Sequence, residues 1–373
     1  MRQNDSPVVT GVPHSPGVRC VIRRGRVLAG IVVALSLLLL RTALAAEGAA
    51  EFQAELKRQV EAAEKAEQLA RLGTDDRMFF ISELRTLSVG PFWGEQAVRV
   101  SRASKPEYAD PVPAIVDFAQ QLRGAGIDLL LVPVPAKAAV YPESAVPGWR
   151  PAEADAPVRV DTSQQEFYRL LERQQVSVLD LMPVFWKERH RPAGDLYCQT
   201  DTHWSGRGLE LAARAIAERV AGADWLPAKP QIRCETRARE VEITGDLARM
   251  LNEQKPVRET IRIQAVGTPA NGELVPVPLD RDSPVLLIGD SHTLIFHDPE
   301  LFARGAGLPD HLARELGVAV DLVGVRGSGG TSPRIELLRR KDRLAGKKLV
   351  IWCFSVREFT ESTTGWRKVP VMR

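Results

Sequence analysis

The sequence predicts an α/β fold: a three-layer α/β/α sandwich with a mainly parallel sheet. Three observations carry that expectation. Short apolar runs alternate with amphipathic segments through most of the chain. The runs are continuous rather than alternating, as strands buried on both faces require. At 373 residues, with 44% hydrophobic and 26% charged, the chain has an ordinary globular composition and enough mass for one large core.

The elements follow in order. Arg19, Arg23, Arg24 and Arg26 precede an apolar stretch of fourteen residues, Val27 to Leu40, and then Arg41-Thr42-Ala43-Leu44-Ala45-Ala46. A basic region, an apolar region and an Ala-x-Ala site in that order make residues 1–46 a secretory signal cleaved after Ala45. The stretch is short of the roughly 20 residues that span a bilayer, and only extension through Ala46 allows the alternative of an uncleaved anchor. Six of the 50 Lys and Arg and one of the 47 acidic residues lie in the first 41 positions, which leaves 44 against 46, a net of −2 for the remainder. The basic balance therefore belongs to the leader, and a nucleic-acid partner is excluded.

Residues 47–75 are expected as a helical linker, because Ala49 to Leu72 is rich in Ala, Glu, Lys, Gln and Arg without Pro and predicts a polar surface helix of about six turns. In the body, residues 76–360, the predicted strands are Ile127–Val132, Val176–Leu179, Val285–Ile288, Val318–Val323 and Lys348–Phe354. The predicted helices are Gln164–Gln174, Gly208–Ala221, Asp310–Leu316 and Pro333–Arg340. Between 222 and 282 the pattern breaks, and Arg237–Ile243 and Thr260–Ala265 alternate as in a small antiparallel ribbon. This segment reads as an insertion that overhangs the site. Residues 361–373 are expected as a C-terminal tail.

The chemistry sits at two motifs. The strand Val285–Ile288 runs into Gly289-Asp290-Ser291-His292, which puts Ser291 at the carboxyl end of a parallel strand, where open α/β sheets place their sites. Upstream lies Asp201-Thr202-His203-Trp204. A serine hydroxyl needs an imidazole to take its proton and a carboxylate to fix the tautomer, and Ser291, His203 and Asp201 supply all three. In an extended segment Asp201 and His203 point to one side. Asp290 alternatively serves only as a helix N-cap. A metal reading of Cys198, Asp201 and His203 lacks the second cluster that completes a tetrahedral site, so neither metal nor cofactor is expected. In an oxidising compartment Cys198 and Cys234 are the expected disulfide, and Cys353, within an apolar run, is a buried thiol.

With Ser88-Val89-Gly90-Pro91-Phe92-Trp93-Gly94, Val132-Pro133-Val134-Pro135-Ala136-Lys137, Tyr141-Pro142-Glu143 and Gly245-Asp246-Leu247 added to these motifs, the chain resembles the SGNH-hydrolase-like periplasmic polysaccharide O-acetyltransferase family, that of the alginate O-acetylation proteins AlgJ and AlgX. The likeness covers roughly Ser88 to Phe359. It implies Ser291 as acetyl-carrying nucleophile, His203 as general base and Asp201 as its orienter, with the dyad ahead of the serine. It also implies a periplasmic location, a polysaccharide acceptor and a membrane-bound O-acyltransferase that supplies acetyl groups. One departure stands out. SGNH hydrolases draw an oxyanion donor from a Gly-x-Asn-Asp block, which is absent here; the body holds only Asn252 and Asn271.

The substitutes expected for that donor are the N–H of Ser291 and the turn Arg326-Gly327-Ser328-Gly329-Gly330, chiefly Gly327 and Gly329, whose alternative is a plain strand-to-helix loop. Lys137 and Tyr141 follow a strand end on the same sheet edge and either hold a sugar or sit in an exposed loop. Trp204 either stacks on a sugar or caps the core. Two rival functions remain open at this point: a secreted carbohydrate esterase with the same triad, and a non-catalytic glycan-binding scaffold of an export complex.

Overall fold

The computed structural model describes residues 46–150 and 158–373. The expected signal or anchor falls outside the described residues, apart from Ala46. No helix among the described residues is long and apolar enough to cross a membrane.

Among the described residues the strands are β1 (Ala70–Leu72), β2 (Met78–Phe80), β3 (Asp128–Val134), β4 (Ser177–Val178), β5 (Glu235–Ile243), β6 (Glu259–Ala270), β7 (Glu273–Val275), β8 (Val285–Gly289), β9 (Asp321–Gly324) and β10 (Leu349–Ser355). The central sheet has the order β4-β3-β10-β8-β9, and all its pairs are parallel. All five strands match the runs predicted from sequence, with shifted ends. Every residue of β8 and of β10 is buried, as continuous apolar runs demand. Each of Val285, Leu286, Leu287 and Ile288 contributes roughly 1.5–3 kcal/mol through that burial. β10, last in sequence, enters between β3 and β8, so the carboxyl ends of all three meet at one edge.

The predicted helices form as Thr162–Arg173, Gly206–Val220, Leu308–Leu316 and Thr331–Arg340. A further helix, Val112–Gly124, buries Ala114, Ile115, Phe118, Ala119 and Leu122. Its Phe118 ring meets Trp352 of β10 edge-on at 5.4 Å. Pro111 and Pro113 read as breakers, but proline is compatible with a first helical turn, where the missing N–H has no intrahelical partner anyway.

Three expectations are corrected. The helix expected over Ala49–Leu72 covers 46–65, and Ala70–Leu72 instead pairs antiparallel with Met78–Phe80. Nor is that helix a polar linker: Ala49, Phe52, Leu56, Val60 and Ala63, spaced three and four apart, are buried. Gln53 donates to the Val160 carbonyl at 3.1 Å and to Thr162 Oγ1 at 2.9 Å, which docks the helix on the body. The segment 361–373 packs as well, with Trp366, Val369 and Val371 buried and the Trp366 N–H bonded to the Tyr108 carbonyl at 2.7 Å. The break at 222–282 holds an antiparallel sheet, β5-β6-β7, and the short helix Asp246–Leu251.

Candidate active site

β8 ends at Gly289, opposite Cys353 of β10. A Cβ at residue 289 would collide with the Cys353 carbonyl, so glycine alone lets the chain leave the sheet there. Asp290 then caps the 3-10 turn Ser291–Thr293, accepting from the His292 N–H at 2.9 Å. Its other oxygen accepts from the Ser355 N–H of β10 at 2.8 Å. The cap reading of Asp290 therefore stands, with a cross-strand tie added. Burial pushes the Asp290 carboxyl up, but His292, Arg357 and these bonds outweigh burial and hold it below the usual range. His292 Nδ1 lies 3.1 Å from Asp290 Oδ1, and burial brings the imidazole down to about 4, so it is neutral at pH 7.

The second motif forms a tight hairpin closed by a bridge between Tyr197 and Trp204, after which Ser205 caps the helix Gly206–Val220. Residues 201–203 are bent rather than extended. Asp201 and His203 nevertheless meet, because Asp201 Oδ1 accepts both the His203 N–H at 3.0 Å and Nδ1 at 2.6 Å, an Asx-turn geometry. His203 Nε2 then stands 2.7 Å from Ser291 Oγ, across 88 residues of sequence. Serine and histidine are each 8% exposed, just open to a reactant.

Electrostatics suit proton transfer. Burial pushes the Asp201 carboxyl up, yet the adjacent imidazole and three hydrogen bonds overcome burial and hold it well below the carboxylate range. Burial disfavours His203 as a cation, but Asp201, helped by Asp246, raises its pKa above the ordinary histidine value. The arrangement can take a proton from Ser291 Oγ and hold it on a stabilised imidazolium.

The hairpin is held from outside. Asp246 donates its N–H to Asp201 Oδ2 at 2.9 Å, and its carboxylate accepts from Thr202 N–H at 2.8 Å and Oγ1 at 2.7 Å. A Cβ at Gly245 would strike the Thr200 carbonyl, so glycine permits this approach. Glu259 of β6 accepts from Gln199 N–H, Thr200 N–H and Thr200 Oγ1 at 2.8, 2.8 and 2.9 Å. Thus the segment 222–282 holds the hairpin of His203 through Asp246 and Glu259. Asp201, His203 and Asp246 bring possible metal-ligand atoms within 4.8 Å of one another, but each carboxylate oxygen already accepts a hydrogen bond.

Other expected site residues are placed differently. Lys137 is 1% exposed, neither sugar-holding nor in an exposed loop; its Nζ donates to the carbonyls of Met78 at 2.9 Å and Asp201 at 2.6 Å. It fixes the Asp201 backbone, a cationic clamp that its position after a strand end did not reveal. Tyr141 is buried too, and its hydroxyl accepts from the Leu196 N–H at 2.8 Å. Trp204 is core, edge-on to His292 at 5.3 Å. Arg326 faces outward to Asp298 and Glu300, at 2.5 and 2.9 Å. Gly327 and Gly329 lie in the turn after β9; Gly329 packs against Phe354 beside Asp290, and its carbonyl accepts from Trp352 Nε1 at 2.7 Å. The Gly330 N–H is already spent on Glu358 Oε1 at 3.0 Å. Cys198 and Cys234 are free thiols, so the expected disulfide is absent; Cys198 faces the Trp204 carbonyl at 3.6 Å. Cys353 is a buried free thiol. Asp246 was legible only as a Gly-Asp-Leu motif without a role, and Glu259 and Arg357 carried no local signal.

Residues 92–356 match a family model described as SGNH hydrolase-like domain, acetyltransferase AlgX. The chain is 29% identical over 251 residues to a probable alginate O-acetylase AlgJ of Pseudomonas putida, covering 63% of this chain and 60% of that protein. It is 26% identical over 246 residues to a probable alginate O-acetylase AlgJ of Pseudomonas fluorescens, covering 64% and 58%. The chain thus spans about 60% of the length of these relatives. In fold it is similar to the O-acetyltransferase domain of Pseudomonas putida AlgJ, with a TM-score of 0.57, 24% identity and coverage of 78% and 92%. It is likewise similar to Pseudomonas aeruginosa AlgX, with a TM-score of 0.56, 15% identity and coverage of 77% and 62%.

Proposed function

The chain belongs to the family of SGNH hydrolase-like acetyltransferase AlgX domains, and from that premise we propose that it is a periplasmic O-acetyltransferase acting on hydroxyls of an exopolysaccharide of the alginate kind. The single observation that carries the reading is the unbroken line Asp201–His203–Ser291, with contacts of 2.6 and 2.7 Å, at the carboxyl edge of a parallel sheet. His203 takes the Ser291 proton as Oγ attacks an acetyl ester, and Asp201 keeps Nδ1 protonated so that Nε2 is free to accept. The developing oxyanion is met by the N–H of Ser291, which opens a helical turn and has no acceptor within it. Gly329, which packs beside Asp290, offers the second backbone donor of this proposal, since the N–H groups of Ser328 and Gly330 are bonded to Val325 and Glu358.

The acetyl group then rests on Ser291 until a sugar hydroxyl, deprotonated by His203, removes it. A membrane-bound O-acyltransferase is the proposed supplier of acetyl groups, and an exported body, released by cleavage or retained by an anchor, is the form in which they meet. Incubation with an acetyl ester and an acceptor oligosaccharide tests the reading. Acetylated sugar is the expected product. Free acetate alone, with the sugar untouched, identifies an esterase instead.

A further inference from the structure

We propose that Arg357 is a catalytic residue of this site, its guanidinium donating to the carbonyl oxygen of the acetyl group as that oxygen becomes an anion on Ser291. The inference rests on the reading of Ser291 as the acetyl-carrying nucleophile and asks what replaces the missing asparagine of the oxyanion hole.

β10 ends at Ser355, whose N–H reaches Asp290 at 2.8 Å, and the next N–H, that of Val356, donates to the Val134 carbonyl of β3 at 3.0 Å. Arg357 follows directly, on the edge where Ser291 leaves β8. Its guanidinium carbon lies 5.5 Å from the centroid of the Phe80 ring. Among the described residues, the buried Nη1 of Arg357 has no hydrogen-bond partner. A cationic N–H cut off from water and left unbonded is costly, so the structure carries that cost unless a reactant fills the place.

The neighbouring cations are occupied. Lys137 is spent on backbone carbonyls, and Arg326 faces Asp298 and Glu300. The charge of Arg357, by contrast, is felt by Asp290, His292 and His203, the two chain neighbours of Ser291 and its hydrogen-bond partner. Two further carboxylates share its field, Glu358, which already holds the Gly330 N–H at 3.0 Å, and Glu83. Glu83 is buried, raised to about 6 by burial against the fields of Arg357 and Lys137, and its Oε1 also lacks a partner. If Arg357 served Glu83 alone, it would position rather than catalyse.

In the proposed step Ser291 Oγ bonds to the acetyl carbon and its proton passes to His203 Nε2. The carbonyl π pair moves onto oxygen, where Arg357 donates a hydrogen bond without giving up its proton. When the carbonyl re-forms, the leaving alcohol departs with the proton from His203, and acetyl remains on Ser291.

The test follows acetyl-enzyme formation in the full chain with 4-nitrophenyl acetate, on the alkaline plateau where His203 is neutral in every variant. Mass spectrometry reads the label on Ser291. Arg357→Ala is expected to slow acetylation about 100- to 1000-fold, the cost of one oxyanion donor. Arg357→Lys, which keeps the charge and the cover over Phe80, should recover part of the loss, and added guanidinium ion should restore rate to Arg357→Ala. Glu83→Gln should acetylate within about threefold of wild type. A labelled wild type with Arg357→Ala equally fast overturns the inference alone, as does a Glu83→Gln variant that reproduces the loss. A loss repaired by neither Lys nor guanidinium also overturns it. Wild type that carries no acetyl on Ser291 sinks the underlying reading and the inference with it.

Discussion

Ser291 and His203 stand 2.7 Å apart, yet the two sides of the site are built differently. The serine side is local and buried in the sheet. Four apolar residues, a glycine and one aspartate cap place the hydroxyl, with a single tie across to β10. The base side is a short hairpin whose position depends on Lys137, Asp246 and Glu259, drawn from three remote parts of the chain. A nucleophile on a strand end inherits rigidity from the core, whereas a base in a loop requires hydrogen bonds from elsewhere. Residues that touch no reactant should therefore matter on the base side and not on the serine side.

The largest loss is expected where the two sides meet. Ser291→Ala should lower acetyl-enzyme formation by about 10,000-fold or more, measured as acetate or acetylated sugar released, with the thermal unfolding midpoint unchanged. In Glu259→Ala three acceptor bonds to Gln199 and Thr200 vanish, and a loop displaced by a fraction of an ångström should cost about 10- to 100-fold in kcat for a small ester while leaving KM nearly unchanged. Loss in KM alone would mean that Glu259 binds substrate instead.

Much of the serine side was legible in the sequence. A continuous apolar run ending in Gly-Asp-Ser states both strand and turn, because burial on two faces and the early glycine are local requirements. Asp201 and His203 were legible as a motif, but through an extended geometry that the structure replaces with an Asx turn. The supports were not legible. Lys137 and Tyr141 looked like surface residues because a strand end says nothing of what covers it, and here β2 and the hairpin do. Glu259 lies in an alternating polar strand whose one inward carboxylate has no distinguishing neighbour. The Cys198–Cys234 pairing failed because compartment chemistry gives a tendency, whereas bonding needs proximity.

Smaller effects separate field from contact. His203 must be neutral to accept the Ser291 proton, so the rate should rise with pH through its pKa, which lies above the ordinary histidine value. Asp246 raises that pKa, and Asp246→Asn should therefore move the acid limb of kcat/KM to lower pH. A limb that stays or moves up would exclude Asp246 from the electrostatics of the base. The least effect belongs to Arg326→Ala, which removes an outward ion pair and should change the rate by less than about twofold, since solvent screens an exposed pair.

The most direct measurement is the acetylation state of Ser291 itself, read by mass spectrometry after a brief reaction with an acetyl ester and compared with His203→Ala. The account predicts acetyl on the peptide that holds Ser291 in wild type, and almost none at the same time in His203→Ala. Acetyl on another residue, or equal labelling of Ser291 without the imidazole, would contradict it.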